Sequence, residues 1–99
     1  YAYAASKAAL HRMVGILAVE HAGSGVLFHN LDPGFVMTEA MKLNDPDGAI
    51  ARKFQAAPPS VPAAVVAWLA SESDAAQHNG QTVSAQRLSL DLGLHADWR

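Results

Sequence analysis

The chain contains no cysteine, and this absence excludes a disulfide framework, a thiolate nucleophile and a zinc knuckle. Basic residues are few: seven Lys and Arg stand against nine Asp and Glu, which leaves a net charge of −2 and no basic block. We therefore expect no nucleic-acid partner, because phosphate neutralisation requires clustered cations. No apolar run, Met13–Val19 among them, is long enough to span a bilayer, so we expect no membrane partner either.

What is present is the composition of a folded domain. The 99 residues are 51% hydrophobic and 16% charged, which is typical of a chain that folds and not of a disordered one. This length accommodates one domain and no second. No secretory signal peptide is recognisable, so we expect a cytoplasmic protein.

A long helix is predicted over Ala4–Ala22, a segment of strong helix formers without proline. Its apolar residues form a stripe wider than one buried face requires. Such a stripe is typical of a helix that packs on a sheet on one side and on another helix or subunit on the other. The run Gly23-Ser24-Gly25 is predicted to end the helix, because glycine accepts the left-handed conformation.

Two short strands are predicted, Val26–Leu31 and Gln81–Ala85, and Asp32-Pro33-Gly34 ends the first because proline cannot donate to a ladder. The segments predicted between and after them are a loop leading to a helical turn over Phe35–Met41, a turn at Asn44–Gly48, a helix over Ala49–Ala56, a helix from an N-cap at Ser60 to about Ser71, a polar loop over Asp74–Gly80, and an unassigned tail Gln86–Arg99. In the helix that starts at Ser60, Val61, Val65, Trp68 and Leu69 share one face, and Trp68 is predicted to be core.

The order helix, strand, helices, strand predicts an α/β fold. Two strands joined by a long helical connection form a parallel pair with a crossover. Because a parallel pair cannot cover its own faces or edges, the fold calls for more sheet than these 99 residues contain.

Tyr3 and Lys7 are the most informative candidate site residues. Four residues apart on a helix, they lie on one face, one turn apart. A phenol loses its proton near pH 10 in water, so acid/base work near neutrality requires surroundings that favour the phenolate, and an ammonium group supplies them. The spacing alone is common, and an ordinary surface pair is the alternative.

The surrounding motifs make the pattern far more specific. They are Tyr3-Ala4-Ala5-Ser6-Lys7-Ala8-Ala9-Leu10, Leu17-Ala18-Val19-Glu20, Asp32-Pro33-Gly34-Phe35-Val36-Met37-Thr38, Val66-Ala67-Trp68-Leu69-Ala70-Ser71 and Asn79-Gly80-Gln81-Thr82-Val83. In this order the chain resembles the short-chain dehydrogenase/reductase family over residues 1 to about 85. The resemblance implies that residues 1–99 are the C-terminal portion of a single NAD(P)-binding domain, an incomplete Rossmann-like, doubly wound parallel sheet with flanking helices.

The resemblance also implies an activity and a set of site residues. The activity would be hydride transfer between NAD or NADP and a small-molecule alcohol or carbonyl compound, with Tyr3 as general acid/base. Lys7 would favour the phenolate of Tyr3, and both residues would contact the cofactor. The cofactor residues of the strand-end loop would be Pro33, Gly34, Val36 and Thr38, which would line the nicotinamide.

Elementary chemistry supports two of the loop assignments. Gly34 lets the backbone approach a ligand closely. Thr38 offers a hydroxyl either to a ligand or to the N-terminus of the following helical turn, and both alternatives stay open.

The chain also departs from the family pattern. Leu27 and His29 occupy positions where the family usually has Arg and Asn, which alters local packing more than chemistry. The Gly-rich phosphate loop is absent, and it would lie upstream of Tyr1 with the family's catalytic Ser and Asn. We therefore expect residues 1–99 alone to be inactive.

Other side chains are weaker candidates for chemistry. The five His residues show no metal-ligand spacing with a carboxylate, so we expect no metal site, and His29 is expected to be packed and hydrogen-bonded. Asp45 and Asp47 flank a turn with too few oxygen ligands for calcium. Met37 and Met41 fit a flexible lid and plain packing equally well.

A second hypothesis treats the chain as a non-catalytic docking or oligomerisation module. The Ala4–Ala22 helix, apolar on two sides, would mediate a homo-oligomer, as the matching helix does in the family's subunit interfaces. A pure docking helix, however, has no need of Tyr3, Lys7 and the Pro33-Gly34 loop together, so the catalytic hypothesis is favoured.

Overall fold

A computed structural model describes residues 1–98 of the chain. The chain divides into two compact units: Tyr1–Asp32 with Ser71–Val83, and Pro33–Ala70 with the stretch that begins at Ser84. Helices and strands are mixed, and helices flank a two-stranded parallel sheet. This agrees with the α/β class predicted from the order of the elements. In the part of the chain that the structure describes, no helix combines the length and apolar character needed to cross a membrane.

Helix α1, Ala2–Glu20, opens the first unit, so the predicted helix is confirmed with both ends shifted by two residues. It stops at Glu20 because His21 leaves the helical conformation, with a φ of −107°. Gly23, with a φ of +83°, lies in the turn that follows and not in the cap itself.

Strands β1, Asn30–Asp32, and β2, Thr82–Ser84, form the parallel pair, and both are shorter than predicted. The segment before β1 bonds differently from a ladder. The backbone N–H of Phe28 donates to Oδ1 of Asn79 at 2.8 Å, and its carbonyl oxygen accepts from the N–H of Gly80 at 2.7 Å. A side chain therefore replaces one of the strand partners, which is why the predicted start at Val26 is wrong.

The segment predicted as a polar loop over Asp74–Gly80 contains a 3-10 helix, Ser73–His78. Its Ala75 is fully buried, and the carbonyl oxygen of Ala75 lies 2.9 Å from Nε2 of His29. The half-buried, hydrogen-bonded His29 agrees with the expectation that this histidine packs, although it lies outside the strand.

Within the first unit, α1 lies close to the segment that leads into β2. A Cβ on Gly80, whose φ is +77°, would approach Cβ of Ala18 to 3.0 Å, so this close approach requires glycine. Nδ2 of Asn30 donates to the carbonyl oxygen of His11 at 2.9 Å, and Nε2 of His11 lies 2.9 Å from Oγ1 of Thr82. These bonds join the middle of α1 to the ends of both strands.

The described part of the second unit contains four helices, α2 Glu39–Leu43, α3 Ala49–Phe54, α4 Ser60–Ser71 and α5 Ala85–Leu92. Helix α3 ends two residues earlier than predicted, because Gln55 adopts a left-handed conformation with a φ of +51°. Ser60 is the first residue of α4 and not its N-cap, since the N–H of Val61 already bonds to the carbonyl of Pro58 at 3.0 Å. Helix α5 lies in the tail that the sequence left unassigned.

The core of the second unit is small and aliphatic. Val61 and Val65, one turn apart on α4, are fully buried, and their burial removes apolar surface from water, the main stabilising contribution to folding. Ala57 and Ala85 are fully buried as well. Trp68, on the same face of α4, is half-buried, so it contributes to the core only in part.

Candidate active site

The two residues of the Tyr-x-x-x-Lys pattern meet on the first turns of α1. Nζ of Lys7 lies over the ring of Tyr3, 5.7 Å from its centroid. One helical turn separates the residues, so their side chains share a face, and the carbonyl of Tyr3 also accepts a bond from Oγ of Ser6 at 2.8 Å. The predicted juxtaposition of phenol and ammonium is confirmed. A cation over a ring face is attracted by the ring's quadrupole, which holds the pair together.

Both side chains are available to a ligand. Tyr3 is 76% exposed, and no residue of α1, all of which the structure describes, is buried. Within residues 1–98, no carboxylate lies at ion-pair distance from Lys7, whereas Lys42 pairs with Glu39 at 3.4 Å. The ammonium of Lys7 therefore keeps donors for another acceptor.

The predicted cofactor loop begins where β1 ends, and one side chain of α5 holds it. Nε2 of Gln86 donates to the carbonyl oxygen of Pro33 at 3.2 Å and to that of Phe35 at 3.1 Å. The ring of Phe35 also lies 5.5 Å from the ring of Phe54. Sequence reasoning misses Gln86, because the predicted strand ends just before it and no helix is predicted there.

Gly34 lies between the two carbonyls that Gln86 binds. Its φ is +69°, and a Cβ at this position would lie 2.6 Å from Nε2 of Gln86. The room that the missing side chain leaves is thus filled by Gln86, whereas the sequence suggested a close approach of the backbone to a ligand. Pro33 and Gly34 are exposed.

The far end of the loop is joined to the segment before α4. Val36 and Ala57 form a parallel β-bridge, in which the N–H of Met37 bonds to the carbonyl of Ala57 at 2.9 Å. Met37 is 9% exposed and Val36 is half-buried. Of the two alternatives for the methionines, packing therefore holds for Met37, while Met41 is half-buried.

Thr38 caps α2. Its Oγ1 accepts from the N–H of Met41 at 3.3 Å, and its backbone is extended, as in an ordinary N-cap. The capping alternative is thus confirmed. A hydroxyl that accepts one bond still carries a proton, so the exposed Thr38 keeps a donor for a ligand.

The two aspartates of the turn hold the N-terminus of α3. The buried carboxylate of Asp45 accepts from the N–H groups of Ile50 and Ala51, each at 3.0 Å, and Asp47 accepts from the N–H of Ala49 at 3.2 Å. These bonds satisfy helix donors that have no partner within the helix. Within residues 1–98, no group of three His, Asp or Glu side chains is arranged to hold a metal ion.

One further pair of reactive residue types meets in the second unit. Oγ of Ser60 lies 2.8 Å from Nε2 of His95, and Nδ1 of His95 accepts from the backbone N–H of Asp97 at 3.2 Å. Because Nδ1 accepts a bond, the neutral ring carries its hydrogen on Nε2, which donates to Ser60. A general base needs Nε2 as the acceptor, so this pair does not activate the serine as a nucleophile.

The candidate site residues fall in both units. Tyr3 and Lys7 belong to the first unit, and the loop of Pro33, Gly34, Val36 and Thr38 belongs to the second. No family model matches the chain, and the comparisons with curated proteins and with solved structures give no match either.

Proposed function

We propose that the chain carries the proton-transfer residues of an oxidoreductase of the short-chain dehydrogenase/reductase type. The observation that carries the proposal is the accessible pair on α1, in which Nζ of Lys7 lies 5.7 Å from the ring centroid of Tyr3. The order of the five motifs along the sequence adds to it. The reaction converts an alcohol to a carbonyl compound, or the reverse, in a cytoplasmic protein.

Tyr3 is the general acid/base of the proposed reaction. In the oxidative direction its phenolate takes the proton of the substrate hydroxyl while the C–H hydrogen leaves as hydride. In the reductive direction its phenol gives that proton back to the carbonyl oxygen. A nicotinamide dinucleotide, NAD or NADP, supplies the hydride chemistry when bound. The exposed phenol of Tyr3 is open to a small alcohol or carbonyl substrate.

In this proposal Lys7 supplies the positive charge beside Tyr3, with Nζ 5.7 Å from the ring centroid. The same ammonium has donors for the hydroxyls of a ribose, and no carboxylate among residues 1–98 competes for it. The residues on α1 therefore fit the nicotinamide ribose of a dinucleotide.

The loop of Pro33, Gly34, Val36 and Thr38 fits the nicotinamide end of the dinucleotide only in part. Pro33, Gly34 and Thr38 are exposed, and Thr38 retains a hydroxyl proton to donate. The backbone of Gly34 does not offer the room expected of it, because Gln86 fills that volume. The proposed contacts of this loop are therefore with exposed backbone groups and the Thr38 hydroxyl.

The proposal includes the architecture that the resemblance implies, a Rossmann-like sheet of which these residues are the C-terminal portion. The 99 residues contain no Gly-rich phosphate loop, and the proposal assigns that loop to another segment of the full-length protein. Titration of residues 1–99 with NADPH, followed by fluorescence, should show no tight binding, and micromolar affinity would contradict this part of the proposal.

The activity is tested with the full-length protein that contains these residues. Incubation with NADPH or NADH and a panel of aldehydes and ketones should consume the reduced cofactor in proportion to the alcohol formed. No turnover with any carbonyl compound, together with no binding of either cofactor, would refute the proposal.

A second candidate function is self-association through α1. The helix exposes Leu10, Met13, Ile16 and Val19, which are 45% to 77% exposed. Next to them runs a groove of about 320 Å³ lined by Arg12, Gly15, Ile16, Val19 and Glu20. An apolar face of this kind is typical of an interaction surface.

The charges at the two ends of this groove favour a second copy of the same helix. A two-fold axis at Ile16 sets two antiparallel α1 helices so that Arg12 of one copy faces Glu20 of the other, and Met13 faces Val19. Such an interface is self-complementary in charge and in apolar surface.

Sedimentation of the full-length protein tests this arrangement. Arg12→Glu should shift the dimer to monomer by placing like charges together, and addition of Glu20→Arg should restore it. Arg87→Glu, the same charge change on an exposed side chain of α5, should have no effect. A wild-type protein that sediments as a clean monomer would refute the docking function.

A further inference from the structure

Gln86 and the loop after β1 are fitted to each other over three consecutive residues. Nε2 of Gln86 donates to the carbonyl oxygens of Pro33 and Phe35, at 3.2 and 3.1 Å. A side-chain amide nitrogen carries two hydrogens, so this pair of bonds uses both. Gly34, between the two acceptors, has no side chain where Nε2 lies, and a Cβ there would come within 2.6 Å of that nitrogen.

This arrangement matters because of the residue types in the loop. Pro33 cannot donate a backbone hydrogen bond, and Gly34, at a φ of +69°, is the residue type with the greatest conformational freedom. A loop that samples several conformations must lose that freedom when a ligand binds, and the loss weakens binding. A side chain that fixes the loop in advance removes this cost.

We propose that Gln86 is a positioning residue that holds Pro33–Phe35 in the conformation that meets the nicotinamide end of the dinucleotide. The inference rests on the proposed function, because it takes this loop to be the nicotinamide contact. Gln86 acts through the loop and does not itself touch the cofactor. Its place, one residue after the first residue of α5, couples α5 to the loop after β1.

Gln86→Glu is the sharpest variant. The glutamate has nearly the shape of glutamine, but its carboxylate only accepts hydrogen bonds, so it faces two carbonyl oxygens without a donor. In the full-length protein, we expect the affinity for NADPH or NADH to fall about tenfold, as the loss of two hydrogen bonds predicts. The affinity for ADP-ribose, which lacks the nicotinamide, should be unchanged.

The matched control is Gln77→Glu, which makes the same chemical change at an exposed glutamine of the first unit. It should alter neither affinity. Equal binding of the reduced cofactor by wild type and Gln86→Glu would overturn the assignment. An equal loss for cofactor and for ADP-ribose would also overturn it, since that result indicates general destabilisation.

Two measurements test the contact itself and do not depend on cofactor binding. In the wild-type protein, the side-chain amide hydrogens of Gln86 should exchange with solvent more slowly than those of the exposed Gln77 and Gln81. In a double-mutant cycle, the free energies of unfolding should show that Gly34→Ala costs less in the Gln86→Ala background than in the wild type. The reason is that Gln86→Ala removes the steric clash and leaves only the strain of the positive φ at position 34.

The outcomes separate the two proposals. A slow Gln86 amide in a protein that binds neither NADPH nor NADH would overturn the proposed function and leave the contact standing. If the protein binds the cofactor but the Gln86 amide exchanges fast, the role of Gln86 is overturned. Additive effects of the two substitutions in the double-mutant cycle would overturn it as well. If Gln86→Glu does not fold, Gln86→Ala takes its place in the binding comparison, with the same expected result.

Discussion

The ammonium of Lys7 lies over the ring face of Tyr3, with Nζ 5.7 Å from the ring centroid, on an end of α1 where neither residue is buried. Four-residue spacing on a helix imposes this contact, and it is the strongest link between the sequence pattern and the proposed chemistry. No carboxylate of residues 1–98 pairs with Lys7, so its ammonium keeps donors for another acceptor.

Lys7→Met should separate the charge of Lys7 from its length. Methionine nearly matches the length of the lysine stem but carries no ammonium, so in the full-length protein turnover should fall by about 10² or more, and cofactor affinity should also fall. Steady-state kinetics with both cofactors measures this. Lys42→Met, which removes an exposed, ion-paired lysine, is the control and should leave turnover unchanged. Equal rates for Lys7→Met and wild type would contradict the role of the ammonium.

Asp45→Ala should destabilise the second unit. The substitution removes a buried carboxylate that accepts two backbone hydrogen bonds at the start of α3, and caps of this kind contribute up to about 2 kcal/mol. Asp47→Ala removes one bond at an exposed residue and should cost only about 0.5 kcal/mol. Chemical denaturation of both variants compares the two costs, and a larger loss for Asp47→Ala would show that the assignment of the cap is wrong.

Two serines of the α5 region should respond to alanine with opposite signs. Ser89 is fully buried, and its Oγ has no hydrogen-bond partner among residues 1–98. Ser89→Ala should therefore raise the free energy of unfolding by about 1 kcal/mol, with a contribution from the higher helix propensity of alanine. Ser84→Ala should lower it by about 1 kcal/mol, because Oγ of Ser84 caps α5 by accepting from the N–H of Arg87. Thermal unfolding of the two variants decides the signs, and a destabilised Ser89→Ala protein would contradict the first.

The elements that the sequence predicted well are those whose signals are local. The uninterrupted helix formers of α1 and the face of Val61 and Val65 on α4 correspond to real helices, and the Asn44–Gly48 turn lies where the cluster of turn residues is. The end of α3 was missed because the left-handed conformation of Gln55 is carried by a residue that rarely adopts it.

The sequence prediction misses helix α5 for a different reason. Its signals were present in the sequence, since Ser84 is an ordinary N-cap and Gly93 an ordinary left-handed C-cap. The sequence prediction misses them because the predicted strand Gln81–Ala85 runs one residue past Ser84 and includes Ala85, the first residue of the helix. A helix start read at Ser84 would have predicted α5 and placed Gln86 in its first turn.

In the candidate site too, the local contact was predictable and the contact between distant residues was not. The contact of Tyr3 and Lys7 follows from helical spacing and was predictable. The contact of Gln86 with Pro33 and Phe35 joins residues more than fifty positions apart, and no periodicity or motif in the sequence signals it. The sequence marks Gly34 as a position of close approach, but it does not show that the side chain of Gln86, and not a ligand, occupies the space beside it.

Replacement of the Tyr3 hydroxyl tests the central claim most directly. In the full-length protein, Tyr3→Phe removes only the phenol oxygen from an exposed ring, so it should lower kcat by about 10² to 10⁴ while leaving the affinity for NADPH or NADH nearly unchanged. Tyr1→Phe, the same change at a fully exposed tyrosine two residues away, should leave kcat at the wild-type value. A Tyr3→Phe protein that turns over at the wild-type rate would contradict the account.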